Sequence, residues 1–401
     1  MKQLLKRWKK IRGVVGVLFL LVVAFVYAMF QGGFVSWFLF YLILPISFYS
    51  LLLYMNSLAN IEVERVIETG KVQSGGRFSA TIHVMRKSRF PLMYVYMEEK
   101  VSPSLSTETS WKQLTFWGMK KEYTWTYEIE HIPRGEHVLE GTHIQVSDLF
   151  GWVKKEIFIS NPKTILVFPN LTDMVYIPIE TRYDQGAAAS RIQAMKDTSM
   201  ATGVRSYQPG DRVSWIHWKS FARTQTLKTK EFEDRQSQDM FVVIDRTPSP
   251  LFEEVVDLTA SVMQAIIRHQ ASAAFLSVGE NRLFLAEVQT DQHLQRLLYH
   301  LTKVKDDLTK PLEQVILHDQ SLANATTLLY VTSNLTYEWM DSVQKNATSL
   351  RACTCFVVKT KNEKTSGEEN ALYKYAASRG FKVQTITKDR FAQAFLEVNR
   401  S

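Results

Sequence analysis

The sequence predicts two transmembrane helices, then a β-sandwich-like domain, then an α/β doubly wound domain. Three observations carry this. Two long uncharged apolar runs lie close to the N-terminus. A following stretch alternates apolar and polar residues with period two, and the last stretch alternates short apolar runs with segments of helical spacing. The boundaries read as a basic arm over residues 1–13, a helical hairpin over 14–54, the β-rich domain over 60–170, a connecting region over 171–238 and the α/β domain over 239–401.

Val14 to Phe30 holds no charge and is rich in Val, Leu and Phe. Gln31-Gly32-Gly33 breaks it, and a second uncharged run goes from Phe34 to Tyr54. At about 1.5 Å of rise per residue, each run is close to the ~30 Å hydrocarbon core of a bilayer. Pro45 is compatible with the second run, because a membrane helix accommodates the carbonyl that proline frees. Trp37, Tyr41, Tyr49 and Tyr54 supply aromatic residues for the interfaces. A secretory signal peptide also starts basic and turns apolar. The immediate second run, and the lack of a small-residue cleavage site, argue for the hairpin instead. Two helices without an intramembrane charge argue against a transporter or channel.

The 401-residue chain carries a formal net charge of +8 with an ordinary apolar fraction of 46%. Much of the excess is Lys2, Lys6, Arg7, Lys9, Lys10 and Arg12, with no acid among them. That placement reads as contact with lipid headgroups and as a topology signal, not as a nucleic-acid surface. The positive-inside rule puts the arm in the cytoplasm, and two crossings return the chain to that side. Both termini of this multi-pass cell-membrane protein are therefore expected in the cytoplasm. Cys353 and Cys355 lie two residues apart in a strand-like run. They face the same way, cannot readily bond to each other and make no disulfide framework.

From Ile61 to about Phe168 the period is two. Phe78, Ala80, Ile82 and Val84 fall on one face, as do Tyr123, Trp125, Tyr127 and Ile129, and Met93, Val95 and Met97 repeat the pattern. Ser74-Gly-Gly, Phe90-Pro91, Pro133-Arg-Gly135 and Glu140-Gly-Thr are turn signals between the runs. Several short strands so spaced predict a small β-sandwich of spacer or interaction type.

From about residue 239 the pattern changes. Met240-Phe-Val-Val-Ile is a strand buried on both faces, and Leu251 to His269 has helical spacing. Strands follow at Ala273, Arg282, Thr327, Cys353 and Lys382, and helices at Gln292–Lys303, Tyr337–Asn346, Glu368–Ser378 and Arg390–Val398. In such a sheet, ligands bind beyond the carboxyl ends of the strands. The first strand ends in Asp245-Arg-Thr-Pro-Ser249, where Asp245, Thr247 and Ser249 offer oxygens to a hard cation such as Mg²⁺. The alternative is a helix N-terminus capped by Thr247 or Ser249.

That segment resembles the von Willebrand factor A domain, whose metal-ion-dependent adhesion site begins Asp-x-Ser-x-Ser. Thr247 stands for the middle serine. The family's later Thr-Asp-Gly reads Thr332-Ser333-Asn334 here, so a carboxylate is missing; Thr309 is the candidate for the remaining threonine ligand. A second resemblance lies upstream, in Gly203-Val-Arg-Ser-Tyr-Gln-Pro-Gly-Asp-Arg-Val-Ser-Trp-Ile-His-Trp-Lys-Ser-Phe-Ala-Arg and Leu227-Lys-Thr-Lys-Glu. It is similar to the signature of the bacterial domain of unknown function 58 family: Tyr-x-x-Gly-Asp, Ile-Asp-Trp, Ala-Arg, then an acidic-aromatic segment. Tyr207, Gly210, Asp211, Ile216, Trp218, Ala222, Arg223, Leu227 and Glu231 occupy those places, and His217 replaces the usual aspartate. Arg134-Gly-Glu-His-Val-Leu and Val146-Ser-Asp-Leu-Phe-Gly-Trp also match, so the resemblance covers nearly the whole chain.

The resemblance implies a membrane-anchored protein with a von Willebrand A-like domain. It further implies association with an AAA+ ATPase of the MoxR type and with a transglutaminase-like membrane protein, and an adaptor or assembly role rather than an enzymatic one. In physical terms, Gln208-Pro-Gly-Asp is turn chemistry, and Arg223 is a candidate partner for Asp211 or Glu231. Trp215, Trp218 and Arg223 make either a structural clasp or a partner-docking surface. A hydrolase would use His217 as base and Asp211 as its orienter, but no Ser or Cys nucleophile with a supporting sequence pattern stands nearby. No Gly-x-x-x-x-Gly-Lys-Ser/Thr loop is present for ATP. Metal-dependent adhesion outside the cell is a third reading; it needs a working cation site.

Overall fold

The computed structural model describes residues 2–67, 72–105, 111–177, 201–209, 211, 213–232, 240–308, 312, 314, 320–322, 325–347, 350–361 and 366–398. The chain divides into two compact units, Met1–Phe168 and Pro169–Ser401.

In the first unit the two apolar runs form α1 (Lys2–Gln31) and α2 (Phe34–Met55). Gly32, at a φ of 62°, lets the chain reverse between them. Arg12–Gln31 and Phe34–Met55 are long and apolar enough to cross a membrane. The core helix of a soluble protein hides its apolar face, but only 11% and 17% of these windows are buried. Phe19, Phe30, Phe34 and Phe38 stand exposed.

The rest of the unit is β. A three-stranded antiparallel sheet runs in the order β1 (Ile61–Ile67), β3 (Phe78–Arg86), β6 (Glu122–Ile129). A five-stranded sheet runs in the order β2 (Val72–Gln73), β8 (Lys154–Phe168), β7 (Gly135–Ser147), β4 (Leu92–Val101), β5 (Lys112–Gly118). Only the short β2–β8 pairing is parallel among these strands. Period two puts alternate residues on one face, and Phe78, Ala80, Ile82 and Val84 are buried as that pattern predicts. On β4 the buried positions are Val95, Met97 and Glu99, whereas Met93 is only half-buried beside the buried Leu92. Residues of both sheets share one apolar cluster, which also takes in Val17 of α1 and Leu53 of α2. Within it Arg65 of β1 pairs with Glu99 of β4, so one buried ion pair joins the two sheets.

The first paired strands of the second unit form a ribbon, β9 (Ala201–Ser206) antiparallel to β10 (Lys228–Phe232), with the short α3 (Trp218–Thr224) between them in sequence. A six-stranded mixed sheet follows. Its elements in chain order are β11 (Met240–Ile244), α4 (Phe252–Arg268), β12 (Ala273–Ser277), β13 (Leu283–Val288), α5 (Asp291–Lys303), β14 (Thr327–Thr332), α6 (Tyr337–Asn346), β15 (Ala352–Val358), α7 (Gly367–Ser378), β16 (Phe381–Ile386) and α8 (Ala394–Val398). The spatial order is β13-β12-β11-β14-β15-β16, parallel except for β13. Every residue of β11 is buried, as a central strand covered on both faces requires. Trp339 of α6 stacks on Tyr330 of β14 with centroids 3.9 Å apart, fixing that helix to the sheet. Cys353 and Cys355 are free and buried in β15. Burial, then the neighbouring Cys355, pushes the Cys353 thiol well above its ordinary value.

Candidate functional site

The ribbon is held by a carboxylate clasp. Asp211 accepts from both Nη atoms of Arg205, at 2.9 and 2.6 Å, from the Gln208 amide at 3.0 Å and from Thr229 Oγ1 at 3.0 Å. The Arg205 bonds foremost, then the Gln208 amide, hold its pKa down at about 2. Arg205 on β9 and Thr229 on β10 face each other in the ladder, so the turn carrying Asp211 folds back over both strands. This corrects one of the two pairings expected from sequence, Arg223 with Asp211; the other, Arg223 with Glu231, lies outside the described side chains. Arg223 stands exposed in the last turn of α3, where a cation favours the helix dipole, while Arg205 takes the carboxylate. The reason is reach: residues 205 and 211 flank one turn, whereas α3 carries Arg223 past it.

His217 does separate work. Its Nδ1 accepts from the Ser220 amide at 3.1 Å and lies 2.7 Å from Ser220 Oγ, capping α3. Its hydrogen-bond partner is thus Ser220, and the partners of Asp211 are Arg205, Gln208 and Thr229, so the histidine–aspartate couple of the hydrolase reading is not assembled. The Tyr207 amide donates to Leu227 O at 3.0 Å, and Trp215 lies half-buried in a short 3-10 turn. Glu231 pairs through its backbone with Gly203. Gly210, Thr309 and the expected exposed connection at Gly186–Arg191 lie outside the described residues. The ribbon shows apolar side chains to solvent beside the exposed Lys219 and Arg223: Val213, Trp218, Phe221 and Leu227 are exposed, and the Trp218 and Phe221 rings meet edge to face at 6.1 Å.

At the carboxyl end of β11, Asp245 is buried within a closed hydroxyl network. Its Oδ1 accepts from the Thr247 amide at 2.9 Å and Thr247 Oγ1 at 2.6 Å; its Oδ2 accepts from Thr332 Oγ1 at 2.6 Å. Thr332 Oγ1 in turn accepts from the Asn334 amide at 2.9 Å, and Ser333 Oγ lies 2.8 Å from Ser249 Oγ. Ser249 Oγ accepts from the Leu251 amide at 3.2 Å in a local turn. The N-cap of α4 is Leu251 and carries no side-chain cap, so neither Thr247 nor Ser249 fills the capping role expected from sequence. Burial, then the charge of Asp245, keeps the Tyr330 hydroxyl neutral far above its ordinary range. As a Mg²⁺ site this donor set is poor. It offers one carboxylate whose two oxygens already receive hydroxyl protons, and no group of three acids, histidines or cysteines occurs among the described residues. One buried carboxylate leaves a dication half neutralised, so these residues do not fit the ion.

The family described as protein of unknown function DUF58 matches residues 203–388, which hold most of the ribbon and the whole six-stranded sheet. A Bacillus subtilis (strain 168) protein, uncharacterized protein YeaD, is 32% identical over 376 residues, covering 92% of this chain and 94% of its own length. The chain belongs to the DUF58 family. Solved structures resemble parts of this DUF58 protein only weakly. The CARDB domain of a Pyrococcus furiosus protein is 14% identical, covers 28% of this chain and 96% of its own, and has a TM-score of 0.19. The sporulation control protein Spo0M of Bacillus subtilis is 12% identical over 27% of this chain and 50% of its own, with a TM-score of 0.16.

Two positions that organise these loops in this DUF58 protein were hidden in its sequence. Arg205 is one; its place six residues before Asp211, across a Pro-Gly turn, was the available signal. Arg246 is the other. Fully buried next to Asp245, it donates to Lys305 O at 3.0 Å and Asn281 O at 2.9 Å and pairs with Asp307. It thereby ties three loops beyond the strand ends. Burial foremost, then the charge of Arg246, pushes His300 down to about 4, so that imidazole is neutral at pH 7.

Proposed function

We propose that this DUF58 protein is a membrane-anchored, non-enzymatic adaptor whose second unit is presented to a protein partner in the cytoplasm, an AAA+ ATPase of the MoxR type, with a transglutaminase-like membrane protein as a further associate. The reading takes α1 and α2 as a spanning hairpin with both termini cytoplasmic, supported by their length, their uncovered apolar surface and the basic arm. It takes the first unit's two sheets as a β-sandwich spacer. It takes the second unit as von Willebrand A-like. Counted within its own sheet the strand order is 3-2-1-4-5-6 with the third strand antiparallel, and the hydroxyl-rich loop stands beyond the first strand.

One observation carries the interaction role: the family signature builds a clasped ribbon that leaves Val213, Trp218, Phe221 and Leu227 in solvent. An aromatic pair on a rigid support is what a protein hot spot uses, because little conformational entropy remains to be lost on docking. The self-satisfied Asp245 network favours contact through side chains over contact through a shared cation.

The test is capture from native membranes in mild detergent with identification of the bound ATPase. Trp218→Ala with Phe221→Ala is expected to abolish capture while the chain stays folded. Retention of the ATPase by that variant, or its absence from the wild-type sample, sinks the adaptor reading. Reporters fused to Ser401 separate the topology, since an external signal would leave no cytoplasmic ATPase within reach.

A further inference from the structure

The hairpin and the first unit's β sheets are built together at one end, and the depth of that joint along the helices has a consequence. On α1, a Cβ at Gly13 would lie 2.0 Å from Trp152 O, and one at Gly16 would lie 3.6 Å from the Trp152 ring, so the tryptophan loop lies directly on the helix. On α2, Ser50 Oγ donates to Asp148 Oδ2 at 2.8 Å, and Tyr49 Oη donates to Pro91 O at 3.0 Å while accepting from the Met93 amide at 3.2 Å. Tyr49 also stacks on Phe90 at 5.8 Å. Arg86 draws a third loop in, donating to Phe90 O, Gly118 O and Lys120 O at 2.5, 2.7 and 2.7 Å.

Both helices give one depth. Gly16 is four residues inside the apolar window that starts at Arg12, and Ser50 is five residues inside the window that ends at Met55. At about 1.5 Å per residue these are ~6 and ~7.5 Å. Loops packed at that level in a spanning hairpin lie in the layer where headgroups meet acyl chains. Their exposed residues suit that layer. Leu149, Phe150, Trp152 and Met119 are apolar and exposed, with the Phe150 and Trp152 rings 5.5 Å apart. Arg89, Lys120, Lys121 and Lys154 are exposed cations around them. The three loops hold a single carboxylate, Asp148, and it is buried against Ser50.

We infer that the loops at 87–91, 118–121 and 148–153 seat the first unit on the bilayer, with Leu149, Phe150, Trp152 and Met119 immersed at the headgroup boundary and the four cations over anionic headgroups. This rests on the hairpin spanning the membrane. It adds that the β-rich unit is a membrane-surface module held in one orientation, and not a freely swinging spacer. Tryptophan is the residue expected at such a boundary, because its ring is apolar at one end and a donor at the other.

The full chain is to be placed in vesicles of phosphatidylcholine and phosphatidylglycerol and labelled with an environment-sensitive fluorophore at one introduced cysteine at a time. Phe150→Cys and Leu149→Cys probe the loop, Val22→Cys the middle of the apolar window Arg12–Gln31 of α1, and Glu130→Cys the far end of β6. The wild-type chain is the labelling blank, since Cys353 and Cys355 are buried. Lipids carrying a nitroxide near the headgroup should quench most emission at position 150 or 149. Lipids carrying it near the chain end should quench position 22, and neither should quench position 130. Quenching at 22 with loop labels as bright as that at 130 overturns the seating while the spanning hairpin stands. Loss of quenching at 22 overturns the hairpin, and the seating with it.

Discussion

Each unit buries a carboxylate, Glu99 in the first and Asp245 in the second, and the two are satisfied in different ways. Glu99 lies mid-strand between two sheets, pairs with Arg65 and accepts from Thr142 Oγ1 at 2.8 Å. Its pKa is raised by burial first, against the lowering pull of Arg65. Asp245 lies just past a strand end and takes one backbone amide and two threonine hydroxyls instead. Mid-strand amides are consumed by the ladder, so a carboxylate there needs a cation from the facing sheet. At the carboxyl end of a parallel strand the chain turns, amides come free, and hydroxyls complete the shell.

The largest effect tests the cation. Removing one partner of a buried ion pair strands the other, at a cost of about 3–5 kcal/mol. Arg65→Met is expected to lower hydrogen-exchange protection of β1, β3 and β4 by that amount in the full chain. Adding Glu99→Leu is expected to recover most of it. Equal losses in the single and double variants would show that the pair is not what matters there.

The hydroxyl shell should be worth less. Thr332→Val leaves Asp245 Oδ2 short of its donor, which costs about 1–3 kcal/mol, read as lost protection of β11 and β14. Thr332→Ser is expected to behave as wild type, and Mg²⁺ to change neither. A stabilising response to Mg²⁺ would restore the cation reading of Asp245, Thr247 and Ser249.

The smallest effect is at the half-buried clasp. Asp211 has its pKa lowered from 3.8 to about 2, so its stabilisation of the ribbon is complete above 3.8 and is lost as pH falls from there through about 2. Exchange of the β9 and β10 amides should accelerate relative to the sheet over that window. Asp211→Asn should show no such window. An identical acid profile in both chains would remove Asp211 from the clasp.

Much of the architecture was legible. The hairpin, the turn signals and the strand at Met240–Ile244 could be read because apolar periodicity is a local property. Helix α6 falls on the residues that its spacing indicates, Tyr337–Asn346. The slip at Met93 has a local cause: Leu92 and Met93 are both apolar at the start of β4, and only the facing sheet decides which of them turns inward.

Pairings were another matter. The sequence by itself determined where the chain is apolar, with what period, and where it turns, since each depends on residues within a few positions of one another. It also identified the family through the spacing of Tyr207, Asp211, Trp218 and Arg223. The tertiary structure alone decided that Asp211 belongs to Arg205, that Arg65 meets Glu99 across two sheets, and that Thr332 closes the shell of Asp245 from 87 residues away. A charge or a hydroxyl has no period to betray its partner. Its choice is made when strands distant in sequence are brought side by side, and the desolvation that makes the choice matter arises only then.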